Sequence, residues 1–489
     1  MSLGLTAAQD ALGVEYTLLK KIVNPLDDNA AFANRFGASI TVVGDKIVIG
    51  AINSNLGARE AGALFVFDRN GNPLRTIPNP EPGPDKSDWF GWYVTAVGND
   101  KVLATAFQDD TGAKDAGSAY LLDLDGNLLQ TYRNPDPQPN GLFGARDVAS
   151  NGDLVAIGAI NADAAAPEAG ATYLFDLDGH LVQTLVSPNA QFGGDLGRSV
   201  EFLDHERIMV SDFRDDTLAP NSGAVFLFDL SGNLLGTLYN PAPNPDVNQE
   251  VFGGSIALVG DNILIGASQK VVDGIQTGEV FLFDHDGKLL KTIPDPEPAD
   301  MNWFGWSLSA VTDHTFIIGS IFNDGEGMSA GKAFLYDTDG NLLQTLVSPV
   351  PGPLQHFGEA FAMAGQDLLI GEDFAIGPVG PGGYPFGYGA VWMYQPVSIP
   401  GDADLDGVVG LSDFAILKQH FGSGDRFRTG DFDQNMKVDL SDFGILKANF
   451  GTRAAVPEPA SAVLLFLGML IWTARQRQRL LMGCRSFAS

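Results

Sequence analysis

One dipeptide, Phe-Gly, returns along this chain at a nearly constant interval, and that recurrence limits the fold more than any other feature. It stands at Phe36-Gly37, Phe90-Gly91, Phe143-Gly144, Phe192-Gly193, Phe252-Gly253, Phe304-Gly305 and Phe357-Gly358, with spacings of 54, 53, 49, 60, 52 and 53. A second element keeps step with it: GALFVFD (62–68), GSAYLLD (117–123), GATYLFD (170–176), GAVFLFD (223–229), GEVFLFD (278–284), GKAFLYD (331–337) and GAVWMYQ (389–395). Self-similarity at a period of this size marks a repeat architecture, in which one supersecondary unit is stacked many times. There are seven units.

Each unit reads as four short strands. The first follows Phe-Gly, as in ASITVV (38–43), and a Gly44-Asp45 turn leads to the second, KIVIGA (46–51). A polar loop leads to the third, ALFVFD (63–68), and an Asp-x-Asp-Gly-Asn type of turn leads to the fourth. Asp-Gly and Asn-Gly between β-rich runs are strong hairpin signals. Four strands repeated seven times predict a mainly β chain, a seven-bladed β-propeller over residues 14–397. The ends of the array sharpen this expectation. The seventh unit stops at Tyr394-Gln395-Pro396 without its fourth strand, and YTLLKKIVNP (16–25) near the N-terminus matches NLLQTLVSP (341–349). The N-terminal strand is therefore expected to complete the last blade, which removes the open sheet edges.

The Phe-Gly, Gly-Ala and Gly-x-x-x-x-Phe elements resemble FG-GAP repeats, the blade type of integrin α-subunit propellers. IGAI at 49–52 and 157–160 and IGAS at 265–268 match the Gly-Ala part, while TAF (105–107) and SDF (211–213) depart from it. The family's calcium loops lie between first and second strands. Here those turns are short, as in GDK (44–46) and NDK (99–101), so the resemblance carries no calcium site into the ring.

Charge and composition exclude several functions. The 489 residues hold 60 acidic and 29 basic side chains, a net charge of −31. Nucleic acid, which is held by Lys and Arg against phosphate, is excluded as a partner. The single cysteine, Cys484, excludes an internal disulfide framework and a cysteine-based zinc site. Residues 401–450 carry −4 and residues 451–489 carry +4, so the acidic excess lies on the first 400 residues.

Within the ring, the proline-rich connectors 78–89, 134–142 and 294–303 and the second-to-third-strand loops are expected to share one face, able to bind a protein or a glycan. Two blades carry Trp-Phe-Gly-Trp, at Trp89–Trp92 and Trp303–Trp306; these read either as an aromatic platform or as packing between blades. The turn carboxylates Asp123, Asp125, Asp176 and Asp178 read as caps of their own hairpins or as cation ligands. His180, His205, His285, His314, His356 and His420 share no repeat position, so no histidine metal cluster is expected. Arg146, Asp147, Asp195, Arg198 and Glu359 fall near the starts of first strands, which should line the channel. They read as a hydrated rim of mutual ion pairs or as carboxylates for glycoside hydrolysis.

After the ring comes GDADLDGVVGLSDFAILKQHFG (401–422), and the pattern returns 29 residues later in GDFDQNMKVDLSDFGILKANFG (430–451). Calcium takes six to eight oxygens from a tight loop. The first loop offers Asp402, Asp404, Asp406, Asp413 and the Val408 carbonyl, with Gly407 at its sharp turn. The second offers Asp431, Asp433, Asn435, Asp442 and the Lys437 carbonyl. Met436 replaces the turn glycine there, which weakens the second site. Phe414, Leu417 and Phe421, and then Phe443, Leu446 and Phe450, fall on one helical face each and are expected to pack together. The duplicated motif resembles a type I dockerin over residues 401–451. The resemblance implies a small all-α domain holding two Ca2+ ions and a cohesin-like partner.

Val456-Pro457-Glu458-Pro459, the apolar run 460–474 and Arg475, Arg477 and Arg479 resemble a PEP-CTERM sorting signal over 456–479, followed by a tail at 480–489. The resemblance implies a hydrophobic helix that holds the chain at a membrane before processing, with the body exported. Residues 1–15 show neither a basic n-region nor an apolar h-region, so the start of an exported chain is expected upstream. The expected protein is a non-enzymatic, exported cell-envelope binding or scaffold protein. Its alternatives are a carbohydrate-active enzyme and an adhesin with a calcium-stabilised spacer.

Overall fold

The computed structural model describes residues 15–26, 34–83, 87–247, 250–325, 327–350, 352–374, 376–379, 385–397, 400–403, 408–422, 430–432 and 437–452. Among the described residues it is mainly β, with two short helices, and the chain divides into two compact units. The first unit, Glu15–Pro396, is a seven-bladed β-propeller of four-stranded antiparallel sheets. Blade one runs Phe36–Val43, Lys46–Ala51, Ala63–Phe67 and Pro73–Pro78. The first strands of neighbouring blades touch all the way round and enclose the channel. Blade seven is closed as expected: Tyr16–Ile22 pairs antiparallel with Ala390–Pro396, from Tyr16 opposite Pro396 to Ile22 opposite Val391.

The two repeated sequence elements meet at each blade boundary. The amide of Phe90 donates to Ala61 O (3.0 Å), that of Phe143 to Ala116 O (3.1 Å) and that of Phe357 to Ala330 O (2.9 Å). The glycine that follows each acceptor has a positive φ, from 75° at Gly389 to 96° at Gly278. A Cβ on Gly62 would stand 2.1 Å from Phe90 O, and one on Gly389 would stand 2.0 Å from Phe36 O. No other residue type fits there, for reasons of both space and conformation. The Phe ring meanwhile turns into its own blade. Phe36 meets Phe65 at 5.6 Å and Phe90 meets Tyr120 at 5.8 Å, edge to face.

Blade four corrects the expected register. Phe192 is 75% exposed, and the buried pair in the Phe-Gly position is Leu196-Gly197. Gly170 packs on Leu196, and Gly197 has φ of 94°. Leu supplies the same buried volume without an aromatic ring, which hid the repeat. The unusual second strands have an equally plain cause. Thr105 and Ser211 stand where the other blades have the Gly-Ala glycine, and each packs on the next blade's Gly144 or Gly253.

The outer rim carries a feature the sequence reading missed. One position on the fourth strand reaches across to the next blade. Gln130 donates to Asp178 O and Gln183 to Ser231 O, while Arg75 pairs with Asp125 at 3.0 Å. Lys20 donates to Asn70 O (2.7 Å) from the closing strand, and Gln344 exchanges two 2.8 Å bonds with the Tyr16 backbone. The hairpin aspartates cap their turns, and Asp176 and Asp178 also stand close enough to His180 for the three to share an ion. Asp123, for example, accepts from the amides of Asp125 (3.0 Å) and Asn127 (2.8 Å).

The second unit holds helices α1 (Leu411–His420) and α2 (Leu440–Asn449). Gly422 N donates to Val438 O and Gly451 N to Val409 O, both at 2.8 Å, so each helix end is tied to the other half. Gly401 packs on Leu446 and Gly430 on Leu417 in the same reciprocal way. The expected apolar face is only partly right. Leu417 and Leu446 are buried with Val409 and Val438. Phe414 and Phe443 touch at 5.9 Å near the surface, and Phe421 and Phe450 are exposed. With two ten-residue helices, the core has room for only one residue from each of those three-residue faces. No helix among the described residues is long and apolar enough to cross a membrane. The expected sorting segment at 456–479 and the tail at 480–489 lie outside those residues.

A matched pair of glycine substitutions tests the interlock. Gly117→Ala should lower stability by about 2–5 kcal/mol, from left-handed strain plus overpacking. Gly236→Ala, on an outer strand with open space around it, should leave stability unchanged or raise it by up to about 1 kcal/mol. Urea unfolding midpoints of the two variants measure the difference.

Candidate functional site

Each connector begins with the same device. The residue before a proline accepts from the amide two residues on: Glu81 N to Asn79 Oδ1 and Asp136 N to Asn134 Oδ1, both 3.1 Å, and Glu297 N to Asp295 Oδ1 at 2.9 Å. The connector then bonds to the preceding blade's second-to-third-strand loop, as in Asn140 N to Lys114 O (2.8 Å). Connectors and loops thus form one face, as the sequence led us to expect.

Where each connector becomes an inner strand, the chain passes through a left-handed residue. These are Arg35, Trp89, Leu142, Asp195, Val251, Trp303 and His356, with φ between 52° and 64°. Such a conformation costs a non-glycine residue about 1–2 kcal/mol, and strain of this kind gathers at functional sites. Three residues further on stand Ala38, Trp92, Ala145, Arg198, Gly254, Trp306 and Glu359. The two sets form a mouth whose seven-fold backbone carries unlike side chains.

Aromatic pairs occupy blades two and six. Trp89 and Trp92 stack at 5.5 Å and Trp303 and Trp306 at 5.3 Å, each pair 29° from parallel. All four are half-buried. Trp92 donates to Ala145 O at 2.8 Å, a bond between blades. The Nε1 groups of Trp89 and Trp303 are buried without a partner. Packing between blades and a partly open aromatic surface therefore coexist.

Blades seven and one join a charged cluster. Arg35 Nε donates to Asp373 Oδ2 at 2.8 Å, and His356 Nδ1 lies 3.3 Å from Asp373 Oδ1. Arg35 also lies 5.0 Å from the Trp92 ring centre and 4.9 Å from Phe374. Burial acts to raise Asp373, but Arg35 and His356 outweigh it and hold the carboxyl below its usual range. Burial pushes Glu359 up to about 7, aided by Asp373. His356, Glu359 and Asp373 are close enough to share a metal ion, against the expectation of no histidine cluster. The Arg35 guanidinium already serves as the cation for Asp373, so the cluster reads as an ion-pair network. Glu359 was legible as a carboxylate near the start of a first strand and His356 only as one of six histidines; Arg35 and Asp373 gave no signal.

The expected rim of mutual ion pairs is not what the channel shows. Asp195 pairs with Arg214 at 3.0 Å. Asp147 accepts from Ser199 Oγ at 2.9 Å and Val200 N at 3.2 Å. Burial pushes Asp147 up to about 6, and pushes neighbouring Glu201 up to about 8 with help from Asp147. Arg146 and Arg198 have no ion pair or hydrogen bond among the described residues.

In the second unit, Asp402, Asp413, Asp431 and Asp442 are all buried. Asp413 accepts from Ala403 N and Gly410 N, both at 2.6 Å; Asp442 accepts from Phe432 N at 2.7 Å and Asp439 N at 2.8 Å. The start and end of each loop are thereby drawn together. Each loop thus buries two carboxylates, Asp402 with Asp413 and Asp431 with Asp442. Val408 is half-buried and Lys437 exposed. Asp404, Asp406, Asp433 and Asn435 lie outside the described residues. No protein-family model matches this chain, and no curated protein matches it in sequence.

The raised carboxyls set a pH dependence. Glu201 keeps its proton in the folded chain at pH values where the unfolded chain has lost it. Its stabilising contribution is complete below about pH 4 and is lost as pH rises through about 8. Between pH 5 and pH 9 the melting temperature should fall, and Glu201→Gln should fall less. Equal falls in thermal melts would refute this.

Proposed function

We propose that this chain is an exported cell-envelope binding or scaffold protein. Its propeller, FG-GAP-like in its repeats, presents a glycan- or protein-binding mouth. Its second unit is a dockerin-like module, holding two Ca2+ ions and engaging a cohesin-like domain. Residues 456–479 act as a PEP-CTERM-like sorting signal, with 460–474 in the membrane before processing. The observation that carries the binding reading is the channel mouth: one rigid, repeated backbone displays stacked tryptophans and charged groups that differ from blade to blade. The calcium reading is supported by the buried pairs Asp402/Asp413 and Asp431/Asp442.

Calcium would be held by Asp402, Asp404, Asp406, Asp413 and the Val408 carbonyl, and by Asp431, Asp433, Asn435, Asp442 and the Lys437 carbonyl. When bound, the ion supplies charge neutralisation for carboxylates that repel one another. The module's own residues orient the ligands through the Asp413 and Asp442 bonds to loop amides. Calorimetry of the full chain should find two calcium sites, one abolished by Asp404→Ala and the other by Asp433→Ala. Met436→Gly should tighten the second site by about 5–30-fold, the equivalent of about 1–2 kcal/mol. Pull-down of a cohesin-domain protein with the full chain should succeed with calcium and fail with EGTA. Retention in EGTA would leave the module as a spacer and favour the adhesin reading.

A second reading, a glycan-cleaving enzyme, is favoured by one observation: Asp147 and Glu201 are neighbouring carboxyls pushed to about 6 and about 8. Hydrolysis of a glycan panel that disappears in Asp147→Asn or Glu201→Gln would establish it. Binding without turnover would exclude it.

A further inference from the structure

Arg198 is a charged group in the channel wall with no ion pair or hydrogen bond among the described residues. It stands on the first strand of blade four, Leu196–Phe202, and is 9% exposed. Its guanidinium lies 4.4 Å from the ring centre of Phe213 and 6.0 Å from that of Trp306. Its Nε is buried without a partner, and it has no ion pair among the described residues. Of the carboxylates nearby, Asp195 attracts Arg198 but forms its ion pair with Arg214, and Asp147 accepts from Ser199 and Val200. The next residue round the channel is a second cation, the half-buried Arg146, with no ion pair or hydrogen bond among the described residues, and it acts on Arg198 as a like charge. Burial and that repulsion pull the Arg198 guanidinium down to about 9.

A buried guanidinium beside another cation is unfavourable unless something neutralises it. Planar guanidinium groups bind planar carboxylates through two parallel bonds. Beside Arg198 is the half-buried Trp303–Trp306 stack, whose Trp306 also hydrogen-bonds Glu359. An aromatic face next to a carboxylate-binding fork suits a ring that is flat and apolar on one side and carries an acid at its edge.

We infer that the channel mouth binds an acidic sugar unit, its carboxylate held by Arg198 and Arg146 and its ring against Trp306. This rests on the reading of the propeller as a glycan-binding unit and names the class of glycan. The negative charge of the whole chain does not oppose it, because screening confines the effect of exposed acids to about 10 Å.

The test is calorimetry of the full chain with trigalacturonate, its methyl ester, a neutral trisaccharide and sodium sulfate. Trigalacturonate should bind one-to-one, and the ester and neutral sugar at least tenfold more weakly. Sulfate should bind weakly, since it offers the anion without the ring. Arg198→Gln and Arg146→Gln should each weaken trigalacturonate at least tenfold, while Lys101→Gln, on the second strand of blade two, should not. Trigalacturonate should raise the melting temperature of the wild type and not of Arg198→Gln. The unliganded Arg198→Gln protein should melt no lower than wild type, because the burial and like-charge repulsion it relieves offset the lost contacts with the Phe213 and Trp306 rings; a marked fall would assign it a structural role and overturn the inference. Equal binding of neutral and acidic sugars would also overturn it, while leaving the glycan-binding reading in place. Absence of binding to every sugar would overturn both.

Discussion

Close contact between two backbones, repeated at every blade boundary, is the constraint on which the propeller depends. A third-strand glycine lies against the Phe-Gly peptide of the next blade, with about 2 Å between its missing Cβ and the carbonyl oxygen. At most boundaries the amide of the same Phe, or of Leu196 in blade four, donates to the carbonyl just before that glycine. The Phe ring points into its own sheet and meets the third-strand aromatic. One dipeptide therefore binds a blade to its neighbour through backbone and to itself through side chain. Either element alone would leave the sheets as separate meanders; together they leave a blade boundary few ways to pack.

That rigidity separates scaffold from site. The residue just before each Phe-Gly is held left-handed whatever its type, even β-branched Val251. The ring can thus present Trp on two blades, Arg, Asp and His on three, and Leu and Val on the others, without altering its frame. Charge then segregates. Arg35, His356 and Asp373 satisfy one another on one side, whereas Arg198 and Arg146 have no ion pair among the described residues on the other. The second unit applies a related economy, since each half places its glycine under the other's helix and its carbonyl over the other's helix end.

Much of this was legible in the residues. The blade number, strand order and closing strand followed from repeat spacing and from one missing strand at the end of the array. Blade four misled because Phe192-Gly193 imitates the motif four residues early, and only burial identifies Leu196 as the true counterpart. The paired helices of the second unit were expected, but which faces they bury was not, because a short helix pair has room for one leucine from each and leaves the phenylalanines outside. The channel arginines and carboxylates were named from their positions near the first strands. Their partners were not, because Arg35 meets Asp373 across 338 residues and Asp195 meets Arg214 through a turn of the blade.

The sequence by itself determined the ring: local hairpin chemistry sets four strands, and glycine at fixed intervals sets how the sheets meet. Both depend on residues close in the chain or repeated within it. Only the tertiary structure decided which charges cancel. Pairing of this kind depends on which blades adjoin and on which carboxylate is already taken. The unpaired state of Arg198 is a property of that arrangement and of no segment of the chain alone.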